Sequence, residues 1–348
     1  MIGRGEAAEP VADLTWTGNQ FIPPERLAEL VRDSAGRVNF TSRDAKYGEP
    51  LREALADALG SQSSMIATGV GSSQLLDALI RRCCPSRVVD VVPNFHLPRS
   101  VATQAGLAYV PLVVREKEEL VPAIMPYAAD PRGLLVLSSP RNPLGYEFGS
   151  DLIETVARGF QGVLVIDQAY GDFGDVDLLP LTAKYPHLIL VRSFSKGWGV
   201  ANLRIGYAVG KRIDQTLREH YLLPYNVGGL SLAVAVSLVR NPDWVRQSIR
   251  DVRAARSELS ACLAGVGVFR VWPSDANFVC IEHNEAVALA ARFGAEGILV
   301  RLLHDLPGYP AGWPTGIRLT VPPRPLLERV MRLLREFAGA RVAGHVSS

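Results

Sequence analysis

The chain has 348 residues, of which 48% are hydrophobic and 21% charged, with a formal net charge of +2. This balance is that of an ordinary soluble globular protein, and it excludes a dedicated nucleic-acid surface, which needs a clustered basic stripe. No apolar run reaches the length of a membrane span. The N-terminus MIGRGEAAEP has no apolar signal region, so we expect a cytoplasmic protein with no nucleic-acid or membrane partner.

The cysteines and histidines do not form a metal-binding pattern. Cys83 and Cys84 are adjacent near a predicted helix end, and Cys262 and Cys280 stand in apolar surroundings. Such residues are more typical of idle thiols in a reducing compartment than of disulfides or zinc ligands. The six histidines form no ligand cluster by their spacing. No metal site is therefore predicted.

From about residue 50 to residue 210, helical patterns alternate with short apolar runs. Continuous apolar strands separated by helices predict a mostly parallel sheet that helices cover on both faces, and hence an α/β fold. The predicted strands are 88–92, 134–137, 163–166, 188–191 and 205–209, and the predicted helices are 50–59, 73–82 and 151–160.

The pattern changes after Tyr225-Asn226. A helical stretch from about 230 to 264, broken near Asn241-Pro242, precedes short strands and helices that predict a smaller α+β lobe. The strands predicted there are 266–271, 277–281, 298–302 and 317–321, and the helices are 285–293 and 325–338. We expect an N-terminal segment (1–35), a large domain (36–235), a small domain (236–340) and a tail (341–348).

The first candidate site residues open a predicted helix. Gly71, Ser72 and Ser73 stand in GVGSSQ, where glycine lets the backbone approach an anion and the free amides of the first turn bind phosphate. A dinucleotide fingerprint would need a third glycine where Gln74 stands, and ordinary N-capping by a serine is the alternative. Phe95 follows the next predicted strand, where it can stack on a flat heteroaromatic ring or be a core residue.

Polar side chains also follow two neighbouring strands. Asn142, in PRNPLG, is held extended by the proline after it and can donate to an anionic oxygen, although Asn-Pro is usually a turn. Asp167 follows the apolar run at 163–166, and Tyr170 comes three residues later. A carboxylate at the carboxyl end of a buried strand points into the crevice where α/β sheets bind ligands. It could keep a pyridine nitrogen protonated there, or it could be a helix N-cap.

Lys196 comes just after the apolar run LILV, with Ser193 and Ser195 before it, glycines after it and Arg204 eight residues on. Burial disfavours an ammonium, so a lysine in this position is a candidate Schiff-base amine. The hydroxyls and the guanidinium suit a dianionic phosphate. Together these features indicate pyridoxal phosphate (PLP), whereas a lysine in a glycine-rich surface turn is the alternative.

Arg318 places a charge in the middle of the apolar β pattern GIRLTV. On an alternating strand its side chain could point to solvent. It could also bind a substrate carboxylate through two hydrogen bonds.

The segments GVGSSQ, PNF, PRNPLG, DQAY, SFSK with its later arginine, and GIRLTV occur in this order. In that order they resemble the PLP-dependent aminotransferases of fold type I, especially the histidinol-phosphate aminotransferase subfamily, over residues 12–338. The resemblance implies a large domain with a mostly parallel seven-stranded sheet covered by helices, and a smaller α+β C-terminal domain.

The resemblance also implies a role for each matching residue. Lys196 would form the internal aldimine with PLP and then carry the proton, while Asp167 would pair with the pyridine nitrogen. Asn142 and Tyr170 would hold the phenolic oxygen, and Phe95 would stack on the ring. The cofactor phosphate would be bound at Gly71, Ser72, Ser73, Ser193, Ser195 and Arg204.

On the substrate side, the resemblance implies that Arg318 binds a carboxylate and that Arg301 is a second substrate-binding arginine. Phe21 stands where histidinol-phosphate enzymes use a tyrosine hydroxyl for the substrate phosphate. Because losing a donor to a buried anion is costly, a phosphorylated substrate is disfavoured. The loop between the two arginines is longer than in the subfamily, which predicts a remodelled pocket. Whether His96 and Arg99 contact substrate stays open.

We therefore expect an aminotransferase that moves an amino group between an amino acid donor and a 2-oxo acid or related carbonyl acceptor. It would work by a ping-pong aldimine/pyridoxamine mechanism in a specialised biosynthetic pathway. Tyr47 matches a tyrosine that reaches the partner subunit's phosphate, which implies a homodimer with shared active sites. The alternatives are a PLP-dependent decarboxylase or lyase of the threonine-phosphate decarboxylase type, and a non-catalytic PLP sensor, which would need an attached DNA-binding module.

Overall fold

The computed structural model describes residues 12–42, 46–83, 86–211, 213, 217 and 221–345, with only the backbone of 83 and 340–345. The expectations for residues 1–11, Cys84 and residues 346–348 lie outside the described residues. The strands are β1 (Ala12–Asp13), β2 (Ile66–Val70), β3 (Arg87–Val92), β4 (Ala108–Val113), β5 (Gly133–Ser138), β6 (Val163–Asp167), β7 (Leu188–Ser193), β8 (Ile205–Val209), β9 (Arg270–Val271), β10 (Phe278–Glu282), β11 (Ile298–Leu299), β12 (Arg301–Leu302) and β13 (Gly316–Thr320). The helices are α1 (Pro24–Ala35), α2 (Glu49–Leu59), α3 (Gly71–Cys83), α4 (Leu97–Gln104), α5 (Leu120–Ile124), α6 (Ser150–Gly159), α7 (Leu179–Lys184), α8 (Gly229–Arg240), α9 (Asp243–Val266), α10 (Ala286–Ala295) and α11 (Leu326–His345).

The large sheet has seven strands in the order β2-β8-β7-β6-β5-β3-β4. Neighbouring strands from β7 to β4 pair in parallel, whereas β8 runs antiparallel to both β7 and β2. The predicted mostly parallel, seven-stranded sheet is therefore confirmed. The sequence patterns do not predict β2 and β4, which form the two edges. Their runs IATGV and AYVPLV are interrupted by Gly69 and Pro111, and proline is confined to edge strands because it cannot donate to the ladder.

Alternate positions of the central strands fill two cores, one on each face of the sheet. Val89 and Leu135 lie in the core under α6, while Val88 and Leu134 lie in the core under α3. All four side chains are fully buried. Because both faces are covered, the strands read as continuous apolar runs rather than as alternating ones. Each such valine or leucine stabilises the fold by roughly 1.5–3 kcal/mol relative to an exposed position.

The small lobe contains an antiparallel sheet in the order β12-β13-β10-β9. The predicted strand at 298–302 is divided: β12 joins this sheet, whereas β11 pairs in parallel with β1 and ties the N-terminal segment to the lobe. The helical stretch breaks at Asn241-Pro242 into α8 and α9, as the proline predicts. Most of the strand predicted at 266–271 is wrong, because Gly267 takes a left-handed conformation (φ 73°) that ends α9. Helix α11 extends past its predicted end at 338, since the following residues contain no proline.

The topology brings several strand ends to one edge of the large sheet. The carboxyl ends of the parallel strands β3, β5, β6 and β7 meet there, as does β2, which leads directly into α3. Because β8 runs the opposite way, its amino end lies at this same edge and carries Arg204. In a sheet of this kind the ligand crevice lies outside the carboxyl ends of the strands.

Within the described ranges, no helix is long and apolar enough to cross a membrane. The same part of the chain holds no cluster of metal-binding side chains, and Cys262 and Cys280 are free thiols. The seven-stranded sheet falls inside 36–235 and the four-stranded sheet inside 236–340. The domain boundaries themselves stay a prediction.

Candidate active site

A cavity of about 540 Å³ opens at the carboxyl edge of the large sheet. It is lined by twelve of the fifteen residues that the sequence singled out: Ser72, Ser73, Phe95, Asn142, Asp167, Tyr170, Ser193, Ser195, Lys196, Arg204, Arg301 and Arg318. Gly71, Phe21 and Tyr47 are not among the residues that line it. The strand ends and the small lobe thus bring together side chains that are far apart in sequence.

Lys196 follows β7 in a tight turn. The Ser193 hydroxyl accepts a hydrogen bond from the Ser195 amide at 3.1 Å, and Gly199 takes a left-handed conformation (φ 72°) that closes the turn. The half-buried Lys196 amine donates to Thr17 Oγ1 at 2.6 Å and lies 5.4 Å from the centre of the Tyr170 ring. The lysine is therefore held inside the cavity and does not occupy a glycine-rich surface turn.

Thr17 is a site residue that the sequence patterns did not reveal. Its hydroxyl contacts Lys196 and also lies 2.8 Å from the Tyr170 hydroxyl, and the side chain is 3% exposed. Thr15 and Trp16 line the cavity beside it. The resemblance places this N-terminal segment near the substrate but gives a role only to Phe21, so the contact between Thr17 and the lysine is seen only in the fold.

Asp167 ends β6 on the buried side of the cavity and is 7% exposed. Its carboxylate accepts from the Ala169 amide at 2.9 Å. Burial raises the pKa of Asp167 to about 6, while the Ala169 amide and the charge of Lys196 act in the opposite direction. A carboxylate in such a place gains free energy by pairing with a bound cation, for example a protonated ring nitrogen.

An anion-binding set lies at the start of α3. Ser72 and Ser73 occupy its first turn, whose free amides attract negative charge. Arg204 Nη1 approaches Ser195 Oγ at 3.4 Å. A Cβ at Gly71 would stand 2.8 Å from Arg204 Nη2, so glycine is required for the guanidinium to reach this position. Hydroxyls, helix amides and one arginine are the donors that a phosphate dianion needs.

Asn142 and Arg318 are joined by a contact that spans the two lobes. Arg318 Nη1 donates to Asn142 Oδ1 at 2.7 Å, and Nη2 donates to the Thr15 carbonyl at 2.7 Å. This leaves the Asn142 amide hydrogens available to a ligand. Arg318 is 6% exposed, so the solvent-facing alternative is wrong. Burial lowers its pKa, and its buried Nε has no hydrogen-bond partner among the described residues.

The segment after β12 forms a wall that approaches from the small lobe. Asp305, Leu306 and Tyr309 line the cavity near Arg301, whose Nε is also buried without a partner in the described chain. The Tyr309 hydroxyl donates to the Pro314 carbonyl at 2.9 Å, which fixes the segment. The loop therefore lies where it can shape the pocket, and its remodelling relative to the subfamily stays a prediction.

Phe95 lies on the cavity wall and is 37% exposed. The hydrogen bonds that hold it in place were not predicted from the sequence. The Asn94 carbonyl oxygen Oδ1 accepts from the Phe95 amide at 2.7 Å, and its Nδ2 donates to the Asp90 carboxylate at 2.8 Å. The Tyr109 hydroxyl donates to the same carboxylate at 2.8 Å. Phe95 is therefore held as an exposed aromatic platform, not as a core residue. His96 also lines the main cavity.

The donor set fits PLP, the cofactor indicated by the sequence. An amine, a buried carboxylate, an aromatic platform and a phosphate cradle face one cavity. Ser138 Oγ and the Nε atoms of Arg301 and Arg318 are buried on its wall without a partner among the described residues. Unpaired buried polar atoms are costly unless a ligand satisfies them. The cavity can thus hold a polar, phosphate-bearing aromatic ring.

The raised pKa of Asp167 gives a prediction about the cofactor-free protein. The pKa of its carboxyl is about 6 in the folded protein and about 3.8 in the unfolded chain, so the folded protein binds this proton more tightly. The folding stability that comes from the bound proton is lost as the pH rises through 6. Relative to Asp167→Asn, wild type should lose up to about 3 kcal/mol of unfolding free energy between about pH 4 and pH 7. Urea unfolding of both proteins across this range measures the difference, and a constant difference would contradict the assignment.

Three comparisons place these observations among known proteins. The family model described as aminotransferase class I and II matches residues 13–334. Histidinol-phosphate aminotransferase 1 of Trichormus variabilis is 31% identical over 302 residues, which cover 84% of this chain and 83% of the relative.

Two solved structures share the fold. Histidinol-phosphate aminotransferase from Sinorhizobium meliloti, solved with pyridoxal-5'-phosphate, superposes with a TM-score of 0.79 at 22% identity and covers 95% of this chain and 92% of its own. L-threonine-O-3-phosphate decarboxylase from Porphyromonas gingivalis gives 0.80 at 18% identity, with 94% and 99% covered.

Proposed function

This chain belongs to the class I and II aminotransferase family, whose members depend on PLP, and we propose that it transfers an amino group from an amino acid to a 2-oxo acid or related carbonyl compound. The observation that carries the proposal is the Lys196 amine, which faces the same cavity as the Asp167 carboxylate and the phosphate-type donors around Arg204. An amine, an acid and an anion cradle around one cavity are the groups that PLP chemistry requires of a protein.

The positions of the cofactor-site residues support one role for each of them. Ser72, Ser73, Ser193, Ser195 and Arg204, with the backbone at Gly71, would bind the phosphate. Phe95 would pack against the ring. Asp167, on the buried side of the cavity, would keep the ring nitrogen protonated, and the Asn142 amide and the Tyr170 hydroxyl would donate to the phenolic oxygen.

When bound, PLP supplies an electron sink for the charge that develops as the α-proton of the amino acid leaves. The protein supplies the remaining elements. Lys196 holds and moves this proton at its Nζ, for which a neutral amine is required. Arg318 orients the substrate carboxylate, and the wall from Asp305 to Tyr309 limits access of water to the cavity.

We assign the recognition of a distal anionic group to Arg301. Its guanidinium lines the cavity, and its Nε is buried without a partner in the described chain. Phe21 packs half-buried against hydrophobic residues of the small lobe and offers no hydroxyl. A carboxylate is therefore a better distal group than a phosphate, which favours a specialised biosynthetic reaction over the substrate named for the histidinol-phosphate relatives.

The test is a screen of amino donors and oxo acceptors against the purified protein loaded with PLP. A competent donor should change the visible absorption of the bound cofactor, and a competent acceptor should reverse the change. Release of carbon dioxide in proportion to donor consumed, without that reversible change, would instead support a decarboxylase of the kind that shares the fold. Failure to bind PLP would overturn the proposal.

Substitution of Arg301 gives a prediction about substrate choice. Arg301→Gln removes a charged donor, so the KM of an acceptor with a distal carboxylate should rise by about 10- to 100-fold. An acceptor of similar length without that carboxylate is the matched control, and its KM should change little. Steady-state kinetics with both acceptors make the comparison. Equal losses for the two acceptors would show that Arg301 does not read the distal group.

We also propose a homodimer with shared active sites. Tyr47 lies outside the described cavity of its own chain, and its amide donates to the Pro224 carbonyl at 2.5 Å. Large apolar side chains close in sequence to Tyr47 and to Pro224 are exposed: Phe40 is 70% exposed and Leu223 is 73% exposed. Exposed apolar groups of this size mark interaction surfaces. A second copy of the chain that covers them would place Tyr47 at the partner's phosphate cradle.

Mixing two inactive variants tests this arrangement. In a mixed dimer of Lys196→Ala and Tyr47→Ala, one site carries both substitutions and the other carries neither. After dissociation and reassociation of equal amounts, turnover should recover to about one quarter of the wild-type value, since about half of the dimers are mixed. Each variant alone is the control. No recovery in a mixture that is dimeric by light scattering would show that Tyr47 serves its own subunit.

A further inference from the structure

Thr17 occupies a place that the proposed roles do not use. Its Oγ1 accepts from the Lys196 amine at 2.6 Å and lies 2.8 Å from the Tyr170 hydroxyl, and the residue is 3% exposed. The hydroxyl therefore connects the proton-carrying amine to the phenol that faces the cofactor position. Two buried contacts at the reacting centre are more than a residue in a connecting segment needs for folding.

The small lobe fixes the segment that carries Thr17. Asn277 Nδ2 donates to the Thr17 carbonyl at 3.0 Å and to the Gly18 carbonyl at 3.1 Å. Thr320 Oγ1 donates to the Trp16 carbonyl at 2.9 Å. These bonds, with that from Arg318 to Thr15, hold four successive residues. The backbone that carries the Thr17 hydroxyl is thus held by side chains of the small lobe.

One arrangement of hydrogens fills both contacts of the Thr17 hydroxyl and orients Tyr170. Thr17 Oγ1 accepts from the Lys196 amine through one of its two lone pairs. The single Thr17 hydrogen is then free to donate to Tyr170 Oη. When Tyr170 Oη accepts this hydrogen, its own hydrogen points away from Thr17, and the cavity is where an acceptor can meet it.

We infer that Thr17 is a positioning residue that directs the Tyr170 hydroxyl hydrogen toward the phenolic oxygen of PLP. The inference rests on the proposed function and concerns how one of its residues is oriented. The charged groups around this pair are Lys196, which contacts Thr17, Arg318, which interacts with Tyr170, and Asp167, which interacts with Lys196. They are unchanged in the variants below, so their effect is common to all of them.

The experiment is a pH titration of the visible absorption of the PLP-loaded protein. Thr17→Val removes the hydroxyl at similar volume and should raise the midpoint by about one pH unit, because the anionic oxygen loses a directed donor. Thr17→Ser should restore the wild-type midpoint. In a Tyr170→Phe background, Thr17→Val should add no further shift, since its effect passes through Tyr170.

The possible results separate the inference about Thr17 from the proposed function. An unshifted Thr17→Val midpoint, or a shift that persists undiminished in the Tyr170→Phe background, would overturn the inference while leaving the proposed function in place. A wild-type protein without a PLP absorption band would instead overturn the proposed function. If Thr17→Val does not fold, as circular dichroism would show, Thr17→Ala carries the same expectation.

Discussion

Lys196→Ala should lower turnover by at least about 10⁴-fold, the largest effect expected for any single substitution in this chain. Among the described residues, the amine is the only lysine nitrogen in the cavity wall, and it lies between Thr17 and the Tyr170 ring. Without it, no other described group on that wall is placed to carry the α-proton at the same point. Steady-state turnover with the best donor and acceptor from the screen is the measurement.

Lys196→Arg is the matched control because it keeps the positive charge. A guanidinium stays protonated throughout the usable pH range and cannot move a proton as an amine does. It should therefore be nearly as inactive as Lys196→Ala, while thermal unfolding shows that both variants are folded. Substantial turnover in either variant would assign the proton transfer to another group.

Asp167→Asn should reduce turnover by about 100-fold or more, the second large effect. The carboxylate is buried on the cavity wall, where it is contributed by strand β6 of the large sheet. An amide has similar size but cannot neutralise a protonated ring nitrogen, so the electron sink weakens. The loss should appear in kcat more than in the affinity for PLP, because the phosphate contacts are unchanged.

Asp172→Asn provides the control for burial. Asp172 is a half-buried carboxyl beside Gly197 and Trp198 whose pKa burial also raises to about 6, yet it is not part of the described cavity wall. A general effect of neutralising a buried acid would affect both variants alike. Turnover that falls equally in the two, or that survives in Asp167→Asn, would contradict the role given to Asp167.

The sequence predicted the central sheet because parallel strands buried on both faces leave a plain signal. The runs in β5, β6 and β7 are continuous and apolar, while β3 and β8 are mostly apolar and contain Asp90 and Gly206. The edge strands β2 and β4 have a weaker signal, since Thr68 and Gly69 together interrupt β2 and Pro111 interrupts β4. Strand ends were also informative: Asp167, Lys196 and Asn142 follow predicted strands, and the topology places strand ends at one edge.

Sequence patterns could not predict contacts between residues that are far apart along the chain. Thr17 meets Lys196 across 179 positions, and nothing local to either residue signals the pairing. The bond from Arg318 to Asn142 is of the same kind. For Arg318 the sequence left two orientations open, and only the packing of β13 between β10 and β12 shows that its side chain is buried.

Reduction of the PLP-loaded protein with borohydride, followed by peptide mass spectrometry, tests the central claim most directly. If Lys196 is the amine that holds the cofactor, the peptide that contains Lys196 should gain the mass of one reduced PLP group, and the phosphate-free analogue pyridoxal should label it far more weakly. Label on another lysine, or no label after PLP has been retained through gel filtration, would contradict the account.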